Sequence, residues 1–229
     1  SNVSTVVSNT QLQSMISAIN PYLLTLCTDW SISPIQLFQA FTSPRGVIPP
    51  YTIFIMDNSD SPGALGYHFE SSGVPIGKVF AKTILNYGGS VLYKDTRTMT
   101  VAQCLCHEIM EMIGNEQTNK WYMDNTGALW CGELCDAVES NLYVVTLPNN
   151  VKVGLSDYVL PNYFSPDSRT KPFNKMNTLT APFTIDRGGY SILIRNNRVV
   201  EVYGSNITES KKQDIISDAN EIRAKFNLD

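Results

Sequence analysis

From Arg97 to Ile113 the chain carries the period of a helix, apolar over most of its circumference, and yet its later turns hold the ionisable side chains of His107, Glu108 and Glu111. On a helical wheel at about 100° per residue these three and Cys104 fall in one narrow arc, while Val101, Leu105, Ile109, Met112 and Ile113 cover much of the rest. A helix of this kind belongs in the interior. Burying an imidazole and two carboxylates without partners costs several kcal/mol or more, so the fold must bring something to them. Thr98 or Thr100 is the expected N-cap, and Gly114-Asn115 the expected stop.

A divalent metal is the most economical partner, because residues at i and i+4 sit one turn apart and can aim an imidazole nitrogen and a carboxylate oxygen at one ion. His107 and Glu111 have that spacing. Glu108, rotated away from the pair, stands where a general base would take a proton from the attacking water. The pattern is His-Glu-x-x-Glu, a carboxylate variant of His-Glu-x-x-His; read alone, it also fits a histidine held by a structural carboxylate. A second element follows in Gly132-Glu133-Leu134-Cys135-Asp136, whose acids would share a face if the segment is helical. Glu133 is a candidate third ligand, with Asp136 either joining it or orienting His107. A structural zinc site built from Cys104, Cys106, Cys131, Cys135 and His107 is disfavoured, since Cys104 and Cys106 lie about 200° apart on one helix.

The rest of the chain is consistent with one compact domain of 229 residues. A net charge of -4 with scattered basic residues disfavours a nucleic-acid partner. No apolar run approaches the roughly 20 residues of a membrane span, and Ser1 to Gln13 lacks the regions of a signal peptide. Five cysteines, an odd set, point to a reducing compartment, against which Asn206-Ile207-Thr208 fits a glycosylation acceptor.

Residues Gln11 to Leu26 are expected to form an opening helix broken near Asn20-Pro21, with a second short helix starting at Ser33-Pro34. Tyr51 to Met56, Ala64 to Glu70 and Gly77 to Leu85 read as strands of a small sheet preceding the central helix. Beyond it Leu142 to Leu147, Val151 to Val153, Tyr190 to Ile194 and Arg198 to Tyr203 read as strands, the last two joined by a turn at Asn196-Asn197. Glu209 to Phe226 closes the chain as an amphipathic helix with Ile215, Ile216, Ala219, Ile222 and Phe226 on one side.

With the motif stand several blocks in order: Gly66 to Glu70, Pro75 to Phe80, Cys106 to Gly114, Gly132 to Glu139, Ser156 to Phe164, Ala181-Pro182-Phe183 and Gly188-Gly189-Tyr190. Together they resemble a phage and bacterial family of zincin-like metallopeptidases with a His-Glu-x-x-Glu helix and a downstream Glu-x-x-Asp element. The likeness covers roughly residues 50 to 204, and Cys106 stands where the family often has Ser. It implies an α+β, zincin-like fold, with a small mixed sheet on a central active-site helix, further strands and a C-terminal helix. The domain would comprise a helical segment at about 1–45, a metal-site core at about 50–204 and the terminal helix at about 209–226. Carried across, His107, Glu111 and Glu133 or Asp136 become ligands of Zn2+ or another divalent ion, and Glu108 the general base of peptide-bond hydrolysis. Gly77 to Leu85 becomes the edge strand that pairs with a peptide or protein substrate. Tyr158 and Tyr163 are candidates for oxyanion contacts or for core packing, and His68 is expected to cap or pack near the sheet, with a ligand role as the lesser alternative. The lack of a membrane span leads to the expectation of a soluble protein, in the cytoplasm of a bacterial or infected cell or associated with a virion. Two rivals remain, a non-catalytic zincin-like structural or host-interaction protein that keeps the metal, and a small-molecule binding domain without metal.

Overall fold

The computed structural model describes residues 1–40 and 51–229 and has a mixed α+β architecture with several small sheets and a C-terminal helix. Two compact units emerge, one formed by Ser1–Gln117 with Leu142–Ser156, the other by Thr118–Asn141 with Asp157–Asp229. No described helix is long and apolar enough to cross a membrane.

The first unit opens with α1 (Asn9–Asp29), started by a capping box between Ser8 and Gln11. The expected break at Asn20-Pro21 is absent and α1 runs through Pro21. A proline inside a helix costs about 3 kcal/mol. Met15, Ile19, Leu23 and Leu26 are fully buried, and each such side chain contributes about 1.5–3 kcal/mol, so packing outweighs the proline. Residues 32–39 form no helix, so the one expected from Ser33-Pro34 does not start there; the stretch expected at 41–45 lies outside the described residues.

Strands β1 (Thr52–Met56), β2 (Gly66–Ser71) and β3 (Val74–Phe80) form a mixed sheet in the order β1-β3-β2, with β1 and β3 parallel and β2 and β3 antiparallel. Two expectations are corrected here. The segment read as a strand from Gly77 to Leu85 leaves the sheet at Phe80 and becomes α2 (Ala81–Asn86), because the Lys82 and Thr83 amides both donate to the Asp57 carbonyl just past β1 (2.8 and 3.1 Å). That acceptor comes from elsewhere in the chain and has no local signature. Nor is β3 the edge, since it is hydrogen-bonded on both sides and β2 is the outer strand. The outer side of β1 is covered by residues 1–3, with Ile55 N donating to the Ser1 carbonyl and Val3 N to the Ile55 carbonyl, both at 2.9 Å.

The central helix α3 (Val101–Gly114) starts four residues after Arg97, capped by Thr100, one of the two expected N-caps, and stops as expected at Gly114-Asn115. Its first amides all find acceptors: Val101 N and Ala102 N donate to the carbonyls of Ser90 and Val91, and Gln103 N donates to Thr100 Oγ1 at 2.8 Å. Thr100 Oγ1 in turn donates to the Gly154 carbonyl at 3.1 Å. Gly154 belongs to the hairpin of β6 (Leu142–Thr146) and β7 (Lys152–Ser156), and α3 packs on β7, β3 and β2. Tyr22 of α1 stacks on Tyr143 of β6 with ring centroids 4.8 Å apart.

In the second unit β4 (Trp121–Met123), β5 (Leu129–Cys131), β8 (Tyr190–Arg195) and β9 (Arg198–Tyr203) form an antiparallel sheet in the order β4-β5-β8-β9. Asn196 and Asn197, both at positive φ (51° and 63°), make the tight β8–β9 turn. The terminal helix α4 (Glu209–Phe226) matches its expected bounds and buries Ile215 and Ala219 against Tyr190, Ile192 and Val199, while Phe226 stays partly exposed, edge-on to Trp121.

Candidate metal centre

Every residue of α3 is buried except His107, whose side chain is 13% exposed. The apolar circumference meets the expectation of an interior helix, and the polar arc faces β2. Side chains alternate across a strand, so Gly66 and His68 share the β2 face that looks onto α3, and Tyr67 and Phe69 lie on the other. Gly66 lets the strand come close: a Cβ there would lie 2.6 Å from Cys104 Sγ and 2.8 Å from Glu108 Oε1. Across the pair from His68 stands Gly77, itself held side-chain-free by Ile53, whose Cδ1 a Cβ would meet at 2.9 Å.

The approach brings two imidazoles and two carboxylates together. His107 Nε2 lies 3.1 Å from Glu111 Oε2, and His68 Nδ1 lies 3.4 Å from Glu108 Oε2 and 3.8 Å from Glu111 Oε2. Donor atoms of His68, Glu108 and Glu111 all fall within 4.8 Å of one another, and these side chains are 5–8% exposed. Two carboxylates at that separation repel by about 3 kcal/mol at the effective dielectric of a protein site. With both histidines neutral the four groups carry two negative charges, which a divalent cation cancels. The donor chemistry fits, since imidazole and carboxylate are zinc and manganese ligands. The spacing of the helical pair fits as well, because two donors at about 2.1 Å from one tetrahedral ion stand about 3.4 Å apart.

His68 is the member that sequence reasoning assigned to packing. The legible signal was its alternation with Gly66 on one face of a strand, a glycine-flanked histidine with room for a close neighbour.

Glu133, Asp136, Tyr158 and Tyr163 all belong to the second unit. The helical face expected for Glu133 and Asp136 does not form. Gly132 N donates to the Lys120 carbonyl and the Leu134 carbonyl accepts from Val159 N, so the chain stays irregular until a 3₁₀ turn over Asp136–Val138. Cys131 Sγ points at Glu133 Oε1 from 3.7 Å, and Asp136 is buried. Tyr158 and Tyr163 are fully buried, and the Tyr163 hydroxyl donates to the Thr184 carbonyl at 3.0 Å. Burial, with a contribution from the Asp136 charge, pushes the Tyr163 phenol upward in pKa. Their geometry is that of core packing.

All five cysteines are buried and stand outside any disulfide. Cys106, at the position where the resembled family often has Ser, faces away from the polar arc. Burial pushes its thiol up to about 12, against a smaller downward pull from a backbone hydrogen bond at Ser156 and from His107. It is a packing residue, not a nucleophile.

No family model, no curated protein and no solved structure matches this chain.

Proposed function

We propose that this protein is a zincin-like, metal-dependent peptidase whose centre lies on α3. The observation that carries the proposal is the clustering of His107 with the buried Glu108 and Glu111 on a largely apolar interior helix, together with His68 brought over by β2. His107 Nε2 and Glu111 Oε2 would hold the ion, with zinc favoured and manganese the harder alternative. When bound, the ion supplies Lewis-acid polarisation of the scissile carbonyl and makes water more acidic. Glu108 takes the proton of the attacking water and delivers it to the leaving amine. The buried surroundings of Glu108 and Glu111 strengthen each of these electrostatic interactions relative to water. The substrate class is a peptide or protein.

Elemental analysis of protein purified without chelator or affinity metal tests this directly. Near-stoichiometric zinc in the wild type, lost in His107→Ala and Glu111→Ala, is the expected result. A peptide-library screen follows, with Glu108→Gln keeping the metal and losing cleavage. No metal in the wild type after zinc or manganese is added overturns the proposal. Metal retained with no cleavage by the wild type leaves a structural site on a non-catalytic scaffold.

A further inference from the structure

We infer that His68 positions the general base: its ring, held by β2, donates a hydrogen bond from Nδ1 to Glu108 Oε2 and fixes that carboxylate toward the site. The kinetic part of the inference rests on the peptidase reading; the contact itself does not.

Four observations lead there. The two atoms are 3.4 Å apart, a long hydrogen bond of the kind that tightens when substrate binds. The carboxylate oxygen accepts this bond when Nδ1 carries the ring proton, and Glu111 Oε2 stands on the same side of the ring at 3.8 Å. The ring has little freedom to turn elsewhere, because its side chain is 8% exposed and its strand is clamped to β3 by the His68↔Gly77 pair. Gly66, two residues earlier on the same face, leaves no room for a side chain beside Glu108 Oε1, where a Cβ would lie at 2.8 Å, so β2 runs close to this carboxylate at Gly66 as well as at His68. Donor atoms of His68, Glu108 and Glu111 also lie within 4.8 Å of one another, so the metal content of His68→Ala separates a positioning role from a ligand role. A base held from one strand is preorganised for proton transfer, which is where orientation yields rate.

The chain has two histidines, so two-bond 15N–1H correlation spectra of labelled protein contain two ring systems, assigned with His107→Asn. His68 is expected as the Nδ1–H tautomer, and Glu108→Ala is expected to shift its Nδ1 signal toward the tautomer mixture of a solvated ring. In parallel, His68→Ala is expected to keep the metal and KM and to lose about 10- to 100-fold in kcat. His68→Asn, whose amide nitrogen stands near the place of Nδ1, should recover most of that loss. An Nε2–H tautomer, or an Nδ1 signal indifferent to Glu108→Ala, overturns the inference. Loss of metal in His68→Ala overturns it in favour of a ligand. A wild type without metal or cleavage refutes the peptidase reading, and the spectra still decide the contact.

Discussion

Replacing Gly66 by Ala adds one methyl group at the closest approach of β2 to α3. That carbon would meet Cys104 Sγ at 2.6 Å, Glu108 Oε1 at 2.8 Å and the Lys78 carbonyl at 3.0 Å, against 3.4 Å or more for ordinary contact. Glu108 must therefore retreat by about 0.6 Å and Cys104 by about 0.8 Å, and the Lys78 backbone cannot yield in compensation. Overpacking of this size costs about 1–3 kcal/mol. At an open strand position the same change would stabilise by about 0.4–1 kcal/mol through the unfolded chain, so even the sign is informative. Urea denaturation measures the first quantity. Cleavage reports the second, because displacement of a base by a sizeable fraction of an ångström lowers kcat by up to about 100-fold. Adding Cys104→Ala to Gly66→Ala should return part of the stability and little of the activity, since Glu108 stays displaced. A Gly66→Ala protein as stable as the wild type, or more so, refutes the claim that the strand and helix meet this closely.

Two further outcomes are expected. Thr100→Ala removes the α3 N-cap and the bond to the Gly154 carbonyl together, and should cost about 1–2 kcal/mol in urea denaturation. Burial raises the Asp124 carboxyl, but hydrogen bonds from Thr126 Oγ1, Trp130 Nε1 and the amides of Thr126 and Ala128 outweigh it and hold the pKa at about 2. A depressed carboxyl stabilises the fold above its unfolded value of 3.8 and loses that contribution as pH falls toward 2. Asp124→Asn should flatten this acid limb when Trp130 fluorescence is followed.

Much of this was legible in the residues. The period of α3, its burial and its titratable arc followed from one stretch of sequence, as did the β8–β9 hairpin from Asn196-Asn197 and the face of α4 from Ile215 and Ala219. What escaped depended on atoms far along the chain. Pro21 reads as a break until the packed face of α1 is counted, and Ala81–Asn86 reads as strand until the Asp57 carbonyl caps it. Glu133 and Asp136 looked like a helical pair, but hydrogen bonds to Lys120 and from Val159 hold the segment irregular up to the 3₁₀ turn at Asp136. His68 was legible as a residue but not as a neighbour, because the approach of strand to helix is marked by Gly66 rather than by the histidine itself.

The bond from Thr100 to Gly154 also bears on the order of events in synthesis. All four site residues, from His68 to Glu111, precede Gln117, yet the hairpin that completes their unit is Leu142–Ser156. On a ribosome, α3 therefore emerges well before the acceptor for its capping hydroxyl, and Thr118–Asn141 must be made in between. Closing so long a loop is slow compared with forming the helix. The centre should be among the last parts of its unit to set, and substitutions in β7 should alter folding rates as though they had been made at the start of α3.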